Sequence, residues 1–268
     1  MSQPEFVHLH CHSEYSLLDG ASRIKDLAKF AAANHMPALA LTDHGVMYGI
    51  VQFYKACREA GVKPILGCEA YVAARSRMDK EAKFDREPSH LLLLPKDQQG
   101  YQNLVKLITA SHLEGFYYKP RIDRELLAQH AEGLIVASAC IAGEVPRAIL
   151  DENYDLARQI AGEYVDIVGA DNFYLELQDH GLPEQKAANE GLLKLARDLG
   201  VGVIATNDSH YSRREDADAH DILLCIQTSK TYADPSRLRF GAQEFYLKTA
   251  EEMAALFSEV PEALRNTL

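Results

Sequence analysis

The chain has 268 residues, 47% of them apolar and 25% charged, a composition that excludes disordered and collagen-like classes. A formal net charge of −11, from 28 Lys and Arg against 39 Asp and Glu, argues against a sequence-independent grip on DNA by this chain alone, which would need a basic footprint. No apolar run reaches the roughly 18 residues of a membrane helix, and MSQPEFVHLH carries no basic region followed by an apolar stretch, so the expectation is a cytoplasmic protein with no membrane partner.

Apolar runs of strand length alternate with longer amphipathic stretches almost throughout. The runs predict strands over residues 6–10, 38–42, 65–72, 90–94, 133–138, 172–177 and 201–206. The intervening patterns predict helices over 22–34, 45–60, 98–112, 154–168 and 184–199, with Ser22 ahead of the first and Gly61 and Gly200 just past helix ends. This alternation implies right-handed crossovers and a parallel sheet, and seven such strands suit a closed or distorted α/β barrel better than two domains. Residues 73–88 read as a charged, solvated excursion. From Arg213 onward the pattern is helical, with one short strand candidate at 244–247. The final PEALRNTL lies inside a helical pattern with no stop signal, as expected of a fragment of a longer polypeptide.

The chemistry lies where metal-ligand residue types meet the strand ends. His10-Cys11-His12 closes the first strand and Asp19 follows; His44 follows the second; Glu69 lies within the third; His90 opens the fourth. Cys140 follows the fifth, His180 the sixth, and Asp208 and His210 the seventh. In an α/β barrel the C-terminal strand ends form the active-site face, so these residues are expected to converge there. Imidazole with carboxylate suits Zn, Mn or Fe, and a thiolate leans toward Zn. His10 and His12, two apart in an extended segment, share a face; His8 shares it too, so spacing does not choose the ligating pair. Glu69 could bridge two cations. Three divalent ions against Asp19, Glu69, Asp208 and a Cys140 thiolate leave a net positive site, suited to a phosphate and to a metal-bound water as nucleophile.

Other candidates have plainer readings beside them. His180 sits at the expected rim, where it either meets substrate or caps backbone. Lys119 and Arg121 in YYKPRID could meet phosphates, although a solvated loop explains them too; Tyr117 and Tyr118 could stack on a terminal base or simply pack. The five cysteines show no CxxC pair, so free thiols are expected; Cys11, Cys57, Cys68 and Cys225 read as packing residues. His35, His112, His130 and His220 read as helix-surface or packing residues.

The segments HLHCHSEYSLLDG, LTDHG, GCEAYV, SH at 89–90, SAC at 138–140 and NDSHY together resemble the polymerase and histidinol phosphatase (PHP) domain family. The text around them (GYQNLVKLIT, GFYYKPRID, YLELQDHG, DAHDILLCIQT, FYLKTAEEM) resembles the N-terminal region of bacterial DNA polymerase III alpha subunits, from about Phe6 to the last residue. The resemblance implies a distorted seven-stranded (β/α)7 barrel, with residues 1–268 a single PHP domain. It also implies a site of two to three divalent metals: His10, His12, Glu69 and Asp208 on one, Glu69, His90 and Cys140 on a second, Asp19, His44 and His210 on a third. All nine positions hold ligand-competent residues, whereas some alpha subunits have lost several. The implied reaction is phosphoester hydrolysis of the 3′–5′ exonuclease, proofreading type at a DNA 3′ end. The implied partners are the remainder of the polymerase alpha chain and a separate proofreading exonuclease subunit. Two alternatives stand beside it: a metal-stapled scaffold that docks the polymerase body or the exonuclease, and a free-standing histidinol-phosphate-type phosphatase.

Overall fold

Runs such as ALAL and HLLLLP are too short for helices and too apolar for water, and they become strands buried on both faces. A computed structural model describes residues 5–17 and 19–268. Leu18 of the His-rich motif and Met1–Pro4 of the N-terminal MSQPEFVHLH stretch lie outside the described residues. The strands are β1 (Ala38–Leu41), β2 (Lys63–Leu66), β3 (Cys68–Val72), β4 (Ser89–Pro95), β5 (Arg121–Ile122), β6 (Leu134–Ala137), β7 (Phe173–Leu177) and β8 (Gly202–Ala205). β1 and β2 form a parallel pair, and the other six lie in the order β5-β3-β4-β6-β7-β8. Side chains alternate across the strands: Leu39, Leu41, Leu91, Leu93, Val136 and Val203 join the cluster under the helices. Ala38, Ala40, Leu92, Leu94, Ala137 and Ile204 meet one another in a second cluster, with Val7 and Leu9.

Besides the 12-residue helix Ala217–Thr228 in the helical stretch after Arg213, five helices form where the periodicity places them: Ile24–Ala33, Ile50–Ala60, Gln98–Leu113, Tyr154–Val168 and Pro183–Leu199. Gly61 and Gly200 end two of them in the left-handed conformation, at φ 75° and 67°. Ser22 does not cap the first helix, whose cap position is Arg23. No helix among the described residues is long and apolar enough to cross a membrane.

Four expectations about strands are corrected. The sheet is mixed, not wholly parallel, because β4 runs antiparallel to both β3 and β6. Only the four-residue helix Ala82–Asp85 lies between β3 and β4, so no crossover helix carries the chain back for a parallel return. The single strand expected at 65–72 is two, broken at Gly67, where a β-carbon would come within 2.6 Å of Leu94 and 2.8 Å of the Leu93 carbonyl oxygen. Residues 6–10 are extended but outside the ladders, held from both sides by single bonds. Ala40 N donates to His8 O at 2.9 Å on one side, and Ser209 N to His10 O at 3.2 Å on the other. Residues 244–247 form no strand, only an isolated bridge between Tyr211 and Tyr246.

His8 anchors this extended segment. It is fully buried, with Nε2 donating to Lys248 O at 2.8 Å, and burial pushes its pKa down to about 4. The unfolded chain takes up this proton below pH ~6.5 while the folded chain refuses it until about 4, so His8 stabilises the fold above that window and progressively less within it. Between pH 7 and 4 the loss should reach about 3 kcal/mol, read as a falling denaturant midpoint of the metal-free chain. His8→Gln should flatten the fall by about that amount; an unchanged slope refutes the assignment.

Candidate metal centre

The nine ligand-type residues meet at one edge of the sheets. The extended segment delivers His10 and His12, the loop after β1 delivers His44, and β3 delivers Glu69. The loop after β6 delivers Cys140, and the loop after β8 delivers Asp208 and His210. His90 opens β4 instead of following it, yet reaches the same edge because β4 runs antiparallel to its neighbours. Depth is graded: His10, His12 and Glu69 are at most 1% exposed, whereas the side chains of His44, Asp19 and His90 keep 12%, 16% and 19%.

Glu69 is the hub. Its Oε2 lies 3.4 Å from His10 Nε2, 3.3 Å from His12 Nε2 and 2.7 Å from His44 Nδ1, while Oε1 lies 2.8 Å from His90 Nδ1. Cys140 Sγ stands 3.8 Å from the same Oε1 and 3.7 Å from His90 Nδ1. Asp208 Oδ1 is 3.3 Å from His10 Nε2, 3.1 Å from His12 Nε2 and 3.6 Å from His210 Nδ1; Asp19 Oδ2 is 3.3 Å from His44 Nε2. Three groups have donor atoms within 4.8 Å of one another: His10, His12 and Asp208; His44, Glu69 and His90; His12, His44 and His210. His12 and His44 each belong to two groups, so the clusters are contiguous.

These contacts are close without being satisfied. His10 Nε2, His12 Nε2, His44 Nδ1, Glu69 Oε2, Asp208 Oδ1 and Asp19 Oδ1 are all buried without a hydrogen-bond partner. Each such atom costs about 1–3 kcal/mol, and six aimed into one space fit a set of cation ligands. The opposite ring nitrogens are engaged: His10 Nδ1 donates to Glu176 Oε1 at 2.6 Å, His12 Nδ1 lies 2.8 Å from Ser16 Oγ, and His210 Nδ1 donates to Asp208 O at 2.8 Å. The Nε2 atoms are thereby left to face the centre.

Without cations, burial lowers the His12 pKa but the Asp208 and Glu69 carboxylates outweigh it and raise it to about 10. Burial opposes ionisation of Glu69 as well, yet the facing imidazoles hold its carboxyl well below the usual range; Asp208 is lowered in the same way by His10 and His210. Burial pushes the Cys140 thiol well up. Divalent cations seated here would displace protons from His12 and Cys140.

Two residues outside the nine complete the centre. Glu176, on β7, also accepts from the Thr206 hydroxyl and from Gln178 Nε2, and Ser16 accepts from His44 N. A glutamate inside the buried run FYLEL was the available signal for the first; nothing local marks Ser16.

The three substrate candidates part company. Arg121 is wholly buried and donates to the carbonyl oxygens of Gly115, Asp85, Arg77 and Asp79, so it pegs the excursion at 73–88 and has no donor facing solvent for a phosphate. His180 is buried against Phe245 at 3.8 Å, with Nε2 donating to Asn207 O and Nδ1 accepting from Gln185, so it packs instead of lining a rim. Lys119 is exposed and lies beside the centre, its Nζ 5.2 Å from the Tyr71 ring that stacks on His44. His220, expected as a helix-surface or packing residue, donates from Nε2 to Asp19 O.

Residues 8–180 match the PHP domain family, and the chain belongs to it. Relatives include the DNA polymerase III subunit alpha of Treponema pallidum, 49% identical over 100% of this chain, and that of Thermus aquaticus, 52% identical over 96%. The chain spans only 23% and 21% of the length of these two relatives. A solved amidohydrolase from Chromobacterium violaceum superposes more loosely, with TM-score 0.47 and 16% identity over 76% of this chain and 87% of that one.

Glu176 offers a direct test of the second layer. Glu176→Gln keeps the size and an acceptor for His10 but removes the charge that fixes the ring, and should weaken divalent metal binding about 10- to 100-fold. Competition against a chromophoric chelator measures this, with circular dichroism as the control for folding. Unchanged affinity in a folded variant assigns Glu176 to packing alone.

Proposed function

We propose that this chain is the metal-dependent phosphoesterase domain of a bacterial DNA polymerase III alpha chain, hydrolysing phosphodiesters at DNA 3′ ends in the manner of a 3′–5′ proofreading exonuclease. The observation that carries the reading is the convergence of six unpartnered buried donor atoms, in a set of nine residues of which none is lost. The likeness to polymerase alpha subunits across the whole chain supports DNA as substrate, the remainder of a longer polymerase chain as partner, and a cytoplasmic setting. On this reading residues 1–268 are one domain of the distorted (β/α)7-barrel type, its sheets of two and six strands drawn together through residues 6–12, which bond to β1 on one side and to Ser209 on the other.

His10, His12, Asp19, His44, Glu69, His90, Cys140, Asp208 and His210 would hold two to three divalent ions such as Zn, Mn or Fe. Bound there, such ions supply positive charge for the scissile phosphate and a water acidic enough to attack at neutral pH. Glu69 holds the two halves of the cluster at a fixed spacing, and Glu176 and Ser16 fix the ring orientations of His10 and His12. The partly exposed Asp19, His44 and His90 give the substrate its approach.

A second reading is a structural staple, with the domain docking the polymerase body or a separate exonuclease subunit. Its support is the spread of the ligands from residue 10 to residue 210, which ties distant segments together. A free-standing histidinol-phosphate-type phosphatase is disfavoured by the polymerase relatives matching well outside the ligand motifs.

Metal content and cleavage of a 3′-labelled DNA primer should be measured together for the chain and for His12→Ala and Asp208→Asn. The expected outcome is metal-dependent shortening from the 3′ end, lowered at least about 100-fold in both variants together with metal content. Metal loss in the variants with no cleavage by the parent chain sinks the nuclease reading and leaves the staple. Turnover of histidinol phosphate with none of DNA would establish the phosphatase instead.

A further inference from the structure

We propose that the rim beside His44 and His90 is a stacking platform for single-stranded nucleic acid, built from Tyr118, Phe116, Lys119 and Arg86. Its core is a tight turn. Tyr117 N donates to Lys119 O at 3.0 Å, and Pro120 holds the preceding Lys119 in an extended conformation. Tyr118 is left at φ 57°, a left-handed conformation that a residue with a bulky side chain resists and that glycine or asparagine would adopt freely.

The strain is not repaid by packing. Tyr118 is 56% exposed, with the edge of Tyr117 at 4.7 Å and the Arg86 guanidinium at 5.5 Å against its ring. Phe116 nearby is 52% exposed. A left-handed backbone that holds an aromatic ring more than half in water gains little from packing, and such strain belongs to places where a side chain must be presented.

What the rings are presented to follows from their position and charge. The turn is pressed onto the metal centre: Pro120 Cγ lies 2.9 Å from where a Gly45 β-carbon would stand, next to His44. The Lys119 ammonium lies 5.2 Å from the Tyr71 ring, which touches both His44 and His90. Among the described residues neither Lys119 nor Arg86 has a carboxylate within ion-pair distance, whereas the neighbouring Arg75 and Arg77 are held by Asp85 and Asp123. Unpaired cations interleaved with exposed rings, at the open side of a ligand cluster in a chain of net charge −11, suit a partner with flat apolar faces joined by anions. Unstacked bases on a phosphate backbone have that chemistry, while a duplex hides its base faces. The proposal rests on the phosphoesterase reading only for the direction of the strand, whose end would point toward His44 and His90.

Seating can be tested apart from cleavage. The 268-residue chain, stripped of metal by chelation, is titrated at low salt into a fluorescent single-stranded oligothymidylate, and anisotropy is followed. Tyr118→Gly removes the ring and relieves the turn, so it should bind roughly tenfold more weakly without a lower thermal midpoint. Lys119→Ala should reduce the slope of log affinity against log salt by about 0.7. A duplex of the same length should bind more weakly and be insensitive to Tyr118→Gly. No binding by the parent chain, or equal binding by Tyr118→Gly, overturns the proposal; self-association of the parent that Tyr118→Gly abolishes, with oligonucleotide binding unchanged, would reassign the surface to protein docking. Binding that depends on Tyr118, without cleavage once metal is restored, refutes the phosphoesterase reading alone. Cleavage with Tyr118-independent binding refutes the platform alone.

Discussion

A carboxylate removed from water, Glu69, sets the terms for the rest of the molecule. Burying such a charge costs several kcal/mol unless it is matched closely on every side. Here His10, His12 and His44 face one oxygen and His90 the other, and Cys140 stands behind. None of these partners is local in sequence, so the match requires segments from distant parts of the chain to end at one edge. The reversed strand β4 serves that requirement, because it brings His90 to the edge with its first residues. The break at Gly67 serves it too, letting β2 pair with β1 while β3 turns Glu69 toward the centre.

Around this hub the structure spends its hydrogen bonds on the backs of the imidazoles and leaves their fronts bare. Glu176, Ser16 and the Asp208 carbonyl each take one ring nitrogen. Asp43, next to His44 in LTDHG, instead fastens the turn after His12 by accepting from Ser13 N at 2.7 Å and Ser13 Oγ at 2.9 Å. Orientation is therefore built in before any cation arrives, which lowers the entropy a bound ion must overcome. The exposure gradient, from a sealed floor at His10 and His12 to a rim at His44 and His90, gives the constellation one open side. The strained turn at Tyr118 lies against that side.

Much of this was legible without coordinates, and the exceptions have physical causes. Helices are legible because their amphipathic period and terminal glycines are local properties. Strand pairing is not: apolar runs announce burial but not direction, so the antiparallel β4 and the separate strands at 63–72 have no local signal. Residues 6–10 have the composition of a strand, yet their partners touch them at single points and no ladder forms. Arg121 illustrates the limit for charge. Its neighbours in YYKPRID suggest a solvated cation, while the backbone carbonyls of Arg77, Asp79 and Asp85 from one remote segment, with that of nearby Gly115, make it a buried peg. His180 follows the same logic, drawn inward by Asn207 and Gln185 and stacked on Phe245.

The sequence by itself determined the donor set: imidazoles, carboxylates and a thiol at strand ends, whose affinity for transition metals is intrinsic to their chemistry. It also determined the helices packed around them, since those depend on neighbours three and four residues away. Tertiary structure alone decided which of His8, His10 and His12 face the centre. His8 turns its ring to the Lys248 carbonyl, 240 residues along the chain, and His10 is aimed by Glu176, 166 residues along. A side chain's direction is chosen by what it meets, and those encounters exist only once the chain has closed on itself.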